Sequence, residues 1–221
     1  MSRPLRVGLA GYGFAGKTFH APLIAETPGL VLFAVASSDP AKVHADWPGV
    51  AVLPSPEALC AHPEVDLVVV ATPNATHHQI ARAALLAGKP VVVDKPFTVS
   101  IAEAEDLAAL ADERGLMLAV FHNRRWDSDF LTLRRLIESG RLGRVVYLES
   151  HFDRFRPTVR QRWREQAGPG GGIWYDLGPH LIDQALLLFG PPESLYADIG
   201  AQRDGASTDD YFHVTLRYGP R

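Results

Sequence analysis

Short apolar runs alternate with helical patterning through the first half of the 221-residue chain. LRVGLA (5 to 10), LVLFAVA (30 to 36), VDLVVVA (65 to 71), PVVVDK (90 to 95) and LMLAVF (116 to 121) read as strands buried on both faces. Between them, HHQIARAALLAG (77 to 88) reads as a helix closed by Gly88. SIAEAEDLAALADERG (100 to 115) opens with Ser100 and Glu103 as a capping box and ends at Gly115. Strands alternating with helices predict an α/β Rossmann domain, a doubly wound parallel sheet with helices on both sides.

After HNRRWD the pattern changes. A helix is expected over 127 to 140, a long strand over RVVYLESHFDRF (144 to 155), then an arginine-rich loop and an amphipathic helix in GIWYDLGPHLIDQA (172 to 185). Two more strands are expected around SLYADIG and DYFHVTLRY, with no crossover helix between them. That arrangement predicts a second α/β domain with a mainly antiparallel, open sheet. The domains are expected at 1–121 and 122–221. The sequence stops at YGPR, directly after a strand, where a turn to another strand is expected.

Composition narrows the function classes. Apolar residues make up 47% and charged residues 21%, as in a soluble globular protein, and a net charge of −3 offers no general attraction to nucleic acid or anionic membranes. The lone cysteine, Cys60, precludes an internal disulfide and points to a reducing compartment. The longest apolar runs fall far short of a membrane span, and the amino terminus has too short an apolar stretch for a signal peptide, so a cytoplasmic protein is expected.

The strongest local signal is GYGFAG (11 to 16), between a strand and a helical stretch. In that context Gly11 permits a tight turn, Gly13 admits a pyrophosphate and Gly16 lets helix pack on strand; the alternative is a purely structural glycine turn. The second strand ends in Ser37, Ser38 and Asp39. Small hydroxyl residues leave space for a 2′-phosphate, favouring NADP, while Asp39 keeps NAD open. TPNATHH (72 to 78) and DKPFT (94 to 98) follow further strands, where open α/β sheets place ligands. Lys95 there is either a cation for a substrate oxygen or a solvated lysine before a proline turn. Asp176 and His180, four apart, either form half of a proton-transfer site or are a helix cap and an ordinary histidine beside the core aromatics Trp174 and Tyr175. Two such ligands do not make a metal site, and none is expected. The stretch RFRPTVRQRWR (154 to 164) reads as a solvated or substrate-facing loop rather than a nucleic-acid contact.

GYGFAGKTFHAP, TPNATHH, DKPFT, HNRRWDSDF, SHFDRFRP and GIWYDLGPHLIDQALLLFG together resemble the Gfo/Idh/MocA family of NAD(P)-dependent oxidoreductases, in the branch similar to NADP-dependent scyllo-inositol dehydrogenase. The resemblance spans essentially the whole chain. It implies a Rossmann domain, then an α/β domain whose open sheet packs against another subunit in a homodimer or larger homo-oligomer. Lys95 matches the family's (E/D)KP lysine, usually followed by a cis-proline, here Pro96, and Asp176 and His180 match its DxxxH pair. Gly11, Gly13, Phe14, Ala15, Gly16, Ser37, Ser38, Thr72, Pro73, Asn74, His77, Lys95 and Pro96 become the expected cofactor contacts.

The implied reaction is NAD(P)-linked oxidation of a secondary alcohol on a polyol, inositol or sugar. His180 would be general base, as the ordinary titration range of histidine suits; Asp176 would orient it and Lys95 would stabilise charge on oxygen. His122, Asn123, Arg125 and His151 are candidate substrate contacts. Family members are longer than this chain, so a fragment, or a shortened form stabilised by oligomerisation, is expected. The rival reading is a nucleotide-binding sensor or inactive fragment that retains the fold without turnover.

Overall fold

Six parallel strands form the sheet of the first unit in the computed structural model, which describes residues 3–219. They are β1 (Leu5–Ala10), β2 (Leu30–Ala36), β3 (Ala51–Leu53), β4 (Leu67–Val70), β5 (Val91–Asp94) and β6 (Leu118–Phe121). Their order is β3-β2-β1-β4-β5-β6, so the winding reverses between β1 and β4, where doubly wound sheets open a crevice at the strands' carboxyl ends. The connecting helices are α1 (Ala21–Glu26), α2 (Pro40–Asp46), α3 (Pro56–Ala61), α4 (His77–Leu86) and α5 (Ile101–Arg114), with a π-helical turn at Gly16–His20 leading into α1. The chain divides into two compact units between Phe121 and His122.

Each face of this sheet has its own core, because both faces are covered and every strand residue must find an apolar neighbour. Leu59, Val68, Val70, Ile80, Leu85, Val91, Val93 and Leu107 pack on one side. Val7, Leu9, Ile24, Val35 and Val43 pack on the other. Gly8 lets α3 come close, since a Cβ there would lie 3.0 Å from Leu59 and Val65. The Ser100 hydroxyl caps α5 by accepting from the Glu103 N–H at 3.3 Å, while the Glu103 carboxylate accepts from the Val99 N–H at 3.1 Å. The strand β3 had no counterpart among the expected elements, because three residues make too short a run to show a period.

The second unit contains α6 (Ser128–Glu138), α7 (Gly172–Phe189), β7 (Ser194–Gly200) and β8 (Tyr211–Arg217). The two strands pair antiparallel, from Ser194 opposite Arg217 to Gly200 opposite Tyr211. The long strand expected over 144 to 155 is absent: the segment carries no strand, and Val146 and Tyr147 are 59% and 69% exposed. Its alternating side chains suit a sheet, but a strand also needs a neighbour for its N–H and C=O groups. Among the described residues β7 and β8 pair only with each other.

Candidate active site

In the first unit, three loops leave one edge of the sheet. Ala10 of β1 pairs with Val70 of β4, and Val70 with Val93 of β5, so the glycine turn, the Thr72 loop and Lys95 emerge side by side. Gly11 has φ +97°, and a Cβ on it would lie 2.7 Å from the Ala71 carbonyl oxygen. At Gly16 a Cβ would come 2.2 Å from the Gly11 carbonyl oxygen. Both positions therefore require glycine, one for conformation and space and the other for space alone. Gly13 differs: no heavy atom lies within 4 Å of where its Cβ would stand. Open room over a turn at a strand's carboxyl end fits the pyrophosphate of a dinucleotide, for which a bare backbone is the closest approach.

The turn is anchored by Tyr12, whose buried hydroxyl donates to Asp46 of α2 at 2.9 Å, with Lys17 Nζ 2.7 Å from the same carboxylate. Burial first, then the bond and charge of Asp46, push the Tyr12 hydroxyl up to about 12. Phe14 stays exposed, edge-on to Phe19 at 5.6 Å, and Ala15 is half-buried beside it. At the end of β2, Ser37 Oγ accepts from the Asp39 N–H at 3.1 Å and Ser38 is exposed. One Asp39 carboxylate oxygen caps α2, accepting from the Lys42 N–H at 3.1 Å.

Thr72, Pro73 and the buried Asn74 follow β4, and His77 opens α4. His77 is 1% exposed, with Nδ1 2.8 Å from the Pro96 carbonyl and Nε2 3.0 Å from the Thr72 carbonyl. The imidazole thus ties the Thr72 loop to the Lys95 loop, and both ring nitrogens are spent on backbone. Lys95 is half-buried and its bond to Pro96 is cis. Asp94 accepts from the Lys95 N–H at 2.7 Å and lies 3.5 Å from Nε2 of buried His20, whose ring is tilted against Phe121 with centroids 4.3 Å apart. Burial pushes the Asp94 carboxyl up, but His20 close beside it, with Lys95 behind, holds it below the ordinary carboxylate range. His20 and Asp94 were not singled out in the sequence; only adjacency to Lys95 marked Asp94.

In the second unit the start of α7 is set by a residue far along the chain. Gly172 has φ +91°, and a Cβ on it would lie 1.8 Å from the Asp209 carboxylate. Asp209 accepts from the Trp174 N–H at 2.7 Å through its side chain and from the Ile173 N–H at 3.0 Å through its carbonyl. The cap is therefore Asp209, and Asp176 sits past the first turn, half-buried, 3.5 Å from Arg164 Nε. His180, one turn on, is 6% exposed and edge-on to Phe152 at 6.4 Å. Gly178 makes room for Trp174, whose ring a Cβ would approach to 2.7 Å.

Asp183 continues the face of Asp176 and His180 by three residues. It holds Arg125 through two bonds, at 2.8 and 2.5 Å, and lies 3.9 Å from His122 Nδ1. Asn123 starts the short 3₁₀ turn Asn123–Trp126. His151 stands apart in the unpaired segment, exposed, 3.6 Å from both Glu149 and Asp153. Cys60 is a buried free thiol that burial pushes up to about 11. Among the described residues no three His, Cys, Asp or Glu side chains gather to hold a metal, and no helix is long and apolar enough to cross a membrane.

Residues 5–122 match the family model described as "Oxidoreductase family, NAD-binding Rossmann fold", and residues 130–220 match "GFO/IDH/MocA C-terminal domain". The Escherichia coli K12 protein named "uncharacterized oxidoreductase YdgJ" is 61% identical over 221 residues, 100% of this chain and 64% of that protein. The Bacillus subtilis 168 protein named "scyllo-inositol 2-dehydrogenase (NADP(+)) IolW" is 43% identical over 215 residues, 97% of this chain and 60% of that protein. The solved structure of YPO2259 from Yersinia pestis superposes with a TM-score of 0.93 at 61% identity, covering 99% of this chain and 62% of that one. The chain thus spans about three-fifths of the length of these relatives. With both halves of the sequence matched, the chain belongs to the Gfo/Idh/MocA oxidoreductase family.

Proposed function

We propose that the chain carries the cofactor and catalytic residues of an NADP-linked dehydrogenase that oxidises a secondary alcohol of a polyol, inositol or sugar. The observation that carries this reading is the emergence of the glycine turn, the Thr72 loop and Lys95 from one sheet edge. Gly11, Gly13 and Gly16 shape the pyrophosphate turn, with Phe14 and Ala15 at its rim. When bound, the nicotinamide supplies the hydride acceptor. Ser37 and Ser38 offer hydroxyls to a 2′-phosphate while Asp39 is engaged as a helix cap, which favours NADP, as does the cofactor named for IolW.

Lys95 stabilises negative charge on the substrate oxygen, and His180 takes the hydroxyl proton. Asp176 orients that imidazole or a neighbouring hydroxyl. His77 acts through the two carbonyls it joins, and Asp94 with His20 fixes the backbone that presents Lys95. Arg125 and His122 share Asp183, so their part in substrate binding is to hold that carboxylate in place. Exposed Leu195 and Tyr196 on β7 support assembly with further copies through that sheet.

Fluorescence titration with NADPH and NADH, followed by a nicotinamide-absorbance screen of inositols and aldoses, tests this reading. Lys95→Ala and His180→Ala are each expected to lower turnover by about 10²-fold or more, with cofactor affinity nearly unchanged. Wild-type turnover in either variant overturns the assignment. Cofactor binding without turnover on any polyol supports a nucleotide-binding sensor instead.

A further inference from the structure

The arginine-rich stretch 154 to 164 has no role in the function proposed above. In the structure it wraps a cleft of about 260 Å³ that lies wholly within the second unit. Arg154, Arg156, Arg162, Arg164 and Arg203 all line this cleft. Four carboxylates line it too, and each is already engaged. Buried Glu165 accepts from Arg162 Nε at 2.6 Å and lies 3.2 Å from Arg203. Asp210 accepts from Arg203 Nε at 2.7 Å, Asp209 caps α7, and Asp176 faces Arg164.

Arg154 and Arg156 are left over: among the described residues neither has a carboxylate within salt-bridge distance. Arg156 is half-buried, and burial together with the charges of Arg154, Arg160 and Arg162 pushes its guanidinium below the ordinary value. Crowding cations in a partly desolvated cleft costs free energy that an anion offsets. Guanidinium forks match the paired oxygens of a phosphate or a carboxylate, which makes the charge–charge contact directional.

We propose that this cleft binds an anionic group, a phosphate or a carboxylate, carried by the polyol substrate, with Arg154 and Arg156 as its ligands. The substrate role rests on the dehydrogenase reading, since Asp176 lines the same cleft; the binding of an oxyanion does not. The volume is just below the roughly 300 Å³ at which small-ligand pockets usually begin. It suits one charged group with part of a short polyol, not a nucleotide. A neutral inositol would leave both surplus guanidiniums without a partner.

The test uses the 221-residue chain saturated with NADPH, so that phosphate groups cannot register at the glycine turn. Calorimetric titrations compare D-glucose 6-phosphate, D-gluconate and D-glucose, with inorganic phosphate as the bare anion. The expected result is that the phosphate ester or the sugar acid binds at least about tenfold tighter than glucose, with affinity falling as salt rises. Whichever is tighter identifies the group. Replacing Arg154 and Arg156 together by Gln is expected to bring that ligand to the level of glucose, while Arg134→Gln on α6 changes nothing. Arg156→Lys, which keeps charge but not the fork, is expected to lose part of the preference and serves if the double variant does not fold. Glucose binding as tightly as both anions, or unchanged anion binding in the Arg156 variants, overturns the proposal. Failure of the dehydrogenase reading shows differently, as anion binding at this cleft in a chain that neither binds NADPH nor turns over.

Discussion

Tyr12 lies inside the glycine turn, yet its side chain packs into the core and bonds Asp46 of α2. Burial and the Asp46 carboxylate both oppose the phenolate and push the hydroxyl up to about 12. Between pH 10 and about 12 the unfolded chain loses this proton while the folded chain keeps it, so stability falls as pH rises through that window. The loss amounts to about 3 kcal/mol for a shift of this size. Tyr12→Phe is expected to lower stability at neutral pH by about 1 kcal/mol and to abolish this alkaline component. Urea midpoints of the two proteins from pH 9 to 12 check it: parallel pH curves would refute the assignment. His77 makes a second case: an imidazole with one N–H donates to one of the Thr72 and Pro96 carbonyls, so His77→Leu leaves that carbonyl without its donor. The expected cost is about 1–3 kcal/mol for the carbonyl left unpaired, read from the same midpoints.

The helix α7 shows what a local pattern conveys and what it does not. Its apolar periodicity and the preceding glycines marked a helix in the right place, but not its cap, because Asp209 arrives from the loop between β7 and β8. Asp209 takes that task, so Asp176 is not the cap of α7 and instead faces Arg164. Asp209→Ala is expected to cost about 1–2 kcal/mol and to raise amide exchange at Ile173 and Trp174, leaving residues 5–121 unaffected. Equal destabilisation throughout the first unit would show that the cap is not the cause. The same contrast explains the remaining elements. Strands β1, β2, β4, β5 and β6 were legible because burial on both faces writes a continuous apolar run into the sequence. Segment 144 to 155 has the composition of a strand, yet pairing depends on a neighbour that local sequence cannot name. In the candidate site, glycines and the lysine were legible from their spacing to strands. His20 and Asp183 were not, since they matter through tertiary contacts with residues that local spacing does not connect, and Asp94 was marked only by standing next to Lys95.

At the scale of the whole chain, stability is expected to be uneven, because both apolar cores are drawn from residues of the first unit. In the second unit, Phe130 and Leu177 are the buried apolar side chains among the described residues. Local opening costs least where few apolar contacts close over the backbone, so amide exchange should be slowest in β1, β4 and β5 and fastest across 144 to 155. Cofactor binding offers a way to test whether that gradient follows the proposed site. A ligand held by the first unit stabilises only states in which that unit is folded, by about 2.7 kcal/mol at a hundred times its dissociation constant. NADPH is therefore expected to slow exchange in the strands of the first sheet roughly 100-fold where exchange requires unfolding of that unit, while 144 to 155 keeps its rate. Exchange mass spectrometry with and without NADPH measures both. Protection appearing first in 144 to 155, with the sheet unchanged, would mean that the dinucleotide is held by the second unit and that the glycine turn is structural. Protection confined to the sheet, and lost in Gly13→Val, is the outcome that the open room above Gly13 leads us to expect.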